Sequence, residues 1–388
     1  MKISIRLFGC AVGFAALAVT GALAQSPLAF SFQLVTTFDY PGSGNQTRPQ
    51  KINDMGDIAG VFVDTSAASF GFTRRSNGVF SPPIADPNAT SNFTEGRGIN
   101  NSRLVCGDYL DSAGAFEGFF FSHNTFTNYD PFPTFTIVLG VNNVGDFSGS
   151  DIPTGGIQEA YLNIGGTLTE FSIANATATL AYQLNATNQS CGYYIDSSGI
   201  THGFWRDSDG TIHAPIDPVG STGTILFGNN DRNLIVGRYS DSAGATHAIL
   251  FVPPNRFLQY DFPGATFTSF NGINRANTIA GRYTDPNTLI DHGIIVQLVR
   301  TAAGGVTLPL APPSAPTQAD PALISRRNLH RALWDRVRVV ERNDGCGVHR
   351  APPSPVRCVL AGSFFLPAVR VTHCQLPDLD AASGGSTI

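Results

Sequence analysis

Hydrophobic and polar positions alternate over short distances along most of this chain. The apolar runs are four to six residues long, rich in β-branched and aromatic side chains, and bounded by Gly, Asn, Asp or Pro. Such runs read as half-buried strands, and no 3.6-residue period competes with them between residues 25 and 300. Thr224–Phe227, Leu234–Tyr239, Ala248–Val252 and Phe257–Tyr260 are four in succession.

The strands recur in phase. Asn53, Asn100, Asn142, Asn185, Asn230 and Asn274 are spaced by 47, 42, 43, 45 and 44 residues. Seven residues after each stands a glycine: Gly60, Gly107, Gly149, Gly192, Gly237 and Gly281. Eleven after it stand Asp64, Asp111, Asp196, Asp241 and Asp285, with Pro153 taking that place in the third unit. Four strands per repeat of about 44 residues is the blade of a β-propeller. The sixth unit stops after its third strand, His292–Val299, while Phe32–Asp39 resembles the fourth strands elsewhere. An N-terminal strand completing the last blade closes a six-bladed ring and removes both free sheet edges. The expected fold is therefore all-β, a six-bladed β-propeller over residues 25–300.

Turn chemistry accounts for most of the repeated polar residues. Asp111-Ser112-Ala113-Gly114, Asp196-Ser197-Ser198-Gly199 and Asp241-Ser242-Ala243-Gly244 place Asp first and Gly fourth in a type I turn. Asn77-Gly78, Gly165-Gly166 and Asp209-Gly210 read as hairpin turns with positive φ. Topology puts the second-to-third-strand turns and the blade-to-blade connections on one face. Asp64, Asp111, Asp196, Asp241 and Asp285 would there join Asp39, Asp130, Asp217 and Asp261. That face is the candidate binding surface, with Tyr109, Tyr194, Tyr239 and Tyr283 as its aromatics. At the start of the third strand stand Phe70, Glu117, Glu159, His202, His247 and, after Asp291, His292. His202, His247 and His292 join the candidate set, and a solvated strand edge is the simpler expectation for the position. Calcium is the cation that so many carboxylates would suit, but it needs six to eight oxygens converging on one point. No metal ligand set or cofactor motif stands out, and neither does a catalytic motif.

The phase Asn…Gly…Asp-Ser…His, with Thr201-His202-Gly203-Phe204 and Thr246-His247-Ala248-Ile249, resembles the bacterial extracellular HAF repeat family over roughly residues 30–300. Phe70, Glu117 and Glu159 depart from its histidine. The resemblance implies an exported repeat protein and carries no activity.

Charge and address refine the picture. Met1–Arg6 is basic, Leu7 to Ala22 is apolar, and Ala22-Leu23-Ala24 precedes Gln25, the pattern of a signal peptide cleaved after Ala24. Residues 25–300 hold 13 basic and 23 acidic side chains, a balance of −10 that excludes the electrostatic footprint of a nucleic-acid binder. Cys106 and Cys191 share one phase of two non-adjacent blades, too far apart for a disulfide, and read as small buried side chains. Residues 301–388 change composition to Pro and Arg and read as a disordered tail; Ile324–Glu341 can be written as a basic amphipathic helix. These features together suggest a monomeric, secreted or periplasmic, non-enzymatic module that binds a carbohydrate or a protein. A metal-assisted propeller lyase or hydrolase, acting on an extracellular polymer, is the alternative.

Overall fold

A computed structural model describes residues 29–301 apart from 45, 91, 133, 134, 154 and 155. The expected signal peptide over residues 1–24, the tail with Cys346, Cys358 and Cys374, and the segment 324–341 lie outside the described residues.

Twenty-three strands and no helix make up the described chain. Blade 1 holds β2 (Gln46–Ile52), β3 (Ile58–Val63) and β4 (Ser69–Arg74). Blade 2 holds β5 (Thr94–Ile99), β6 (Val105–Leu110), β7 (Phe116–Ser122) and β8 (Thr125–Tyr129). Blade 3 holds β9 (Thr136–Val141), β10 (Phe147–Asp151), β11 (Glu159–Ile164) and β12 (Thr167–Phe171). Blade 4 holds β13 (Ala178–Leu184), β14 (Ser190–Ile195), β15 (Thr201–Arg206) and β16 (Ile212–Ile216). Blade 5 holds β17 (Gly223–Asn229), β18 (Ile235–Ser240), β19 (Thr246–Val252) and β20 (Arg256–Tyr260). Blade 6 holds β21 (Phe267–Ile273), β22 (Thr278–Thr284) and β23 (Asp291–Thr301).

The strand missing from blade 6 is β1 (Ala29–Phe38), which runs antiparallel to β23 from Phe30 opposite Arg300 to Phe38 opposite Gly293. The expected clasp is present, and the ring is a closed six-bladed β-propeller. Phe32 packs on Tyr260 and Phe270, so the clasp also seals the hydrophobic layer between blades 5 and 6. Blade 1 departs from the four-strand expectation. Its outer edge makes only isolated bridges, Gly71 to Ile84 and Arg74 to Phe80, because Pro82 and Pro83 between them have no N–H to give a ladder.

One irregularity recurs in every blade. The pairing of first and second strands skips one residue at Gln50, Arg97, Leu139, Tyr182, Phe227 and Asn271, a β-bulge three residues before each repeat asparagine. A bulge re-aims side chains and sharpens the twist. The phased glycines sit opposite: a β-carbon at Gly60, Gly107, Gly149, Gly192, Gly237 or Gly281 would lie inside 3.0 Å of an inner-strand carbonyl oxygen. In the first four blades the ring of Phe72, Phe119, Tyr161 or Phe204 fills the space a side chain would need. These glycines are therefore fixed by close approach and not by a turn.

The asparagines form a ring. Each is 4% exposed, and its Nδ2 donates to the backbone carbonyl of the next: Asn53 to Asn100, Asn100 to Asn142, Asn142 to Asn185, Asn185 to Asn230, Asn230 to Asn274 and Asn274 back to Asn53. The Oδ1 of Asn53 meanwhile accepts the N–H groups of Met55 and Asp57, the local turn that the sequence suggests.

Candidate functional site

The axis is packed, and its two halves differ in chemistry. Blades 3 to 5 contribute buried Ile137, Leu139, Leu180, Tyr182 and Phe227. Blades 6, 1 and 2 contribute ions. Arg48 and Arg282 bond Asp291 at 2.8 and 2.9 Å, and Arg97 bonds Asp108 at 2.6 Å and pairs with Glu95. Burial raises the Asp291 carboxyl, but Arg282 and Arg48 overcome this and hold it down at about 2. Buried Lys51 donates to the carbonyls of Phe227 and Asn271, and desolvation lowers its ammonium to about 8. These groups are consumed by one another and by backbone, so they read as architecture.

On the face carrying the asparagine ring, a shallow depression of ≈ 400 Å³, open to solvent, is rimmed by Asp54, Asn101, Asn143, Asp231 and Arg275. The Asp54 carboxylate accepts from Asn101 at 3.0 Å and Asn143 at 3.2 Å, and Arg275 bonds Asp231. The sequence signal for this rim is the residue directly after each repeat asparagine, such as Asp54, Asn101, Asn143 and Asp231.

The opposite face carries the aspartates. Every candidate Asp caps its turn as expected: Oδ1 of Asp64, Asp111 and Asp196 accepts backbone N–H groups two and four residues ahead. Asp241 does so from Ala245, and Asp285 from Asn287 and Thr288. The turn reading is incomplete, however. In blades 4 and 5 the second oxygen reaches the histidine of the third strand.

His202 Nδ1 lies 2.7 Å from Asp217 and its Nε2 3.4 Å from Asp196; Tyr194 stacks on its ring at 5.1 Å. His247 Nδ1 lies 2.8 Å from Asp261, its Nε2 3.3 Å from Asp241, and Tyr239 packs on it at 4.9 Å. His292 bonds Asp39 at 2.9 Å and stacks on Tyr283 at 5.1 Å. The expectation of a solvated strand edge is thus corrected. The side chains of His202 and His247 are only 21% and 14% exposed, because each imidazole bridges a turn aspartate and a connector aspartate. Burial pulls the His202 pKa down, but Asp217 and Asp196 outweigh it and the net shift is upward. For His247, the Asp261 bond raises it against burial.

Strand register explains the recurrence. The residue nine after each asparagine faces the start of the third strand directly: Phe62 faces Phe70, Tyr109 faces Glu117, Asp151 faces Glu159, Tyr194 faces His202, Tyr239 faces His247 and Tyr283 faces His292. Each blade therefore has one cross-strand pair at the same place, and its chemistry varies from aromatic to acidic. Tyr109 departs from the surface role expected of it. It is 1% exposed, and its hydroxyl donates to Glu117 at 2.7 Å. In blades 1, 2 and 6 the strand start opposite the turn carries Phe70, Glu117 or His292, and the bridged turn aspartate of blades 4 and 5 does not recur at Asp111 or Asp285. Among the described residues, no three His, Cys, Asp or Glu side chains converge in a geometry that would hold a metal ion.

The chain thus belongs, by architecture, to the closed six-bladed propellers. No family model matches it, and no curated protein does. Solved structures similar in fold include one assigned as TolB from Agrobacterium tumefaciens, with 12% identity over 70% of this chain and 99% of that one, TM-score 0.45. AofleA from Arthrobotrys oligospora is 10% identical over 71% and 90% of the two chains, TM-score 0.47. The Aleuria aurantia lectin, described as a six-bladed β-propeller with a fucose recognition mode, is 10% identical over 70% and 99%, TM-score 0.41.

Proposed function

We propose that this protein is an exported, non-enzymatic binding module of the HAF-repeat kind, engaging a hydroxyl-rich polymer through its aspartate face. One observation carries the reading: three consecutive blades present a partly buried imidazole bonded to a connector carboxylate and backed by a tyrosine ring, with the turn aspartate as a second carboxylate in blades 4 and 5. Catalysis needs its acid, base and electrophile gathered around one bond. Here the groups are dealt out one set per blade, an arrangement suited to a ligand that repeats. Linked weak sites raise avidity without any new contact. Carboxylate and imidazole edges accept and donate hydrogen bonds to hydroxyls, which makes extracellular polysaccharide the first ligand class to test.

A glycan array followed by calorimetry on the hits tests this. His202→Ala, His247→Ala and His292→Ala, alone and combined, should lower the affinity for a polymer stepwise while leaving the circular dichroism unchanged. Binding that is indifferent to all three, or lost completely with any single one, would remove the repeated-site reading.

A further inference from the structure

Blade 3 carries a site that none of the other blades has. Where blades 4 and 5 pair Tyr with His, it pairs Asp151 with Glu159 directly across β10 and β11, and Glu170 stands opposite Tyr161 on the same sheet face. Gln259 of blade 5 and Asn128 of blade 2 hold the place of Glu170, and both make hydrogen bonds to their blade's tyrosine hydroxyl. In blade 3, three carboxyls replace that tyrosine, acid-or-imidazole and amide. Like charges directly opposite in a sheet are destabilising, so the arrangement calls for an explanation.

Asp151 is 0% exposed, and neither of its oxygens accepts a hydrogen bond from an N–H or hydroxyl donor; the Glu170 carboxyl comes within hydrogen-bonding reach, a bond that forms only while one of the two carboxyls holds a proton. Buried polar groups are paired in nearly all native proteins, and an unpaired one signals a ligand or a strained site. The groups that face it are Glu159 on β11, exposed Glu170 on β12, Tyr161 on β11 and Tyr129 on β8. All are acidic or neutral, and none of the three carboxyls forms an ion pair with a described residue. Glu170 is exposed and lies on the same sheet face as buried Asp151.

We infer that the Asp151, Glu159 and Glu170 carboxyls of blade 3 form a binding site for a primary ammonium group, carried by an amino sugar or a lysine side chain. The three do not converge on one point as a metal ion would require, whereas an ammonium offers three hydrogen-bond donors in different directions. Burial first, and then Glu170 and Glu159, raise the Asp151 carboxyl to about 8. Near neutral pH the empty site therefore holds a proton that an arriving cation displaces. This inference stands on Asp151 and is independent of the polymer reading of blades 4 to 6.

Calorimetric titration of the full chain at pH 7 with glucosamine, N-acetylglucosamine, Nα-acetyl-lysine amide and calcium chloride decides it. In buffers of different ionisation enthalpy, one or both amines should bind with release of a proton, and the neutral sugar should not. Asp151→Asn should weaken amine binding roughly tenfold and abolish the proton release. Glu170→Gln, an exposed change that spares the core, should weaken it as well, whereas Glu117→Gln in blade 2 should not. Which amine binds more tightly separates the two sources. Silence from both amines, calcium binding in their place, or amine binding unaffected by Asp151→Asn would each overturn the proposal.

Discussion

The side-chain amide of Asn274 donates to the backbone carbonyl of Asn53 at 3.0 Å, joining residues 221 apart in the chain and completing a circle of six identical bonds. Each asparagine also organises its own turn, so a single side chain ties local to global structure. Asn53→Ala removes the inter-blade donor and the acceptor for two turn N–H groups. It should cost about 2–4 kcal/mol in chemical denaturation. Asn143→Ala, on the open rim, should cost well under half of that.

The phased glycines should be intolerant for a reason unrelated to turns. Gly107→Ala drives a β-carbon into the carbonyl of Glu95 and the ring of Phe119, and should destabilise by about 3 kcal/mol or more. Gly114, with φ of +84° and nothing near its missing side chain, should lose only about 1 kcal/mol as alanine. Equal losses at the two sites in urea melts would contradict the close-approach account.

Stability should fall as pH rises through the neutral range. His202 and His247 have folded pKa values above the 6.5 of a free imidazole, so their contribution is complete below that value and is lost as pH rises through the folded one. Asp151 acts in the same sense over a wider window, from the 3.8 of a free aspartate up to about 8. Melting temperatures of the full chain from pH 4 to 9 should show the decline. Asp151→Asn should flatten it and raise the melting temperature at pH 8, whereas a decline unchanged in that variant would contradict the assignment.

Cys106 and Cys191 are free and buried, and desolvation pushes both thiols up to about 12. Alkylation mapped by mass spectrometry should leave them unmodified in the native protein and label them fully in denaturant. Labelling under native conditions would mean that the blades open locally.

Removing residues 1–38 should uncover β23. An unpaired edge strand templates association, so the truncated chain should elute in light-scattering chromatography as oligomers or aggregate. A monomer of unchanged stability would show the clasp to be dispensable.

The repeat, the blade count and the clasp were legible because they depend on spacing and on strand chemistry, which a sequence displays directly. The asparagine ring was not. Asn53 or Asn142 followed by its turn residues is fully explained by a local turn, and nothing in the spacing shows that the unused amide reaches the next blade. The ionic axis is hidden for a similar reason, since Arg48 and Asp291 are 243 residues apart. The His–Asp sets were half visible. His202, Asp196 and Asp217 were each singled out by phase, but the strand register that brings them into one bonded group had to be seen. Blade 3 is the least legible: Glu159 shares the phase of the third-strand start, but only the strand register places Asp151 and Glu170 on the same face with it.

The ionic half of the axis coincides with the seam where the two ends of the ring meet. In an open chain Arg48, Arg282 and Asp291 would stand in water, hydrated and unstrained, so the loose ends expose charge where an aliphatic axis would expose an adhesive surface. Burial of these ions becomes tolerable only when all three are brought together in correct register. The same groups thus make closure selective for the ring's own two ends, because their charges compensate one another in that one register alone.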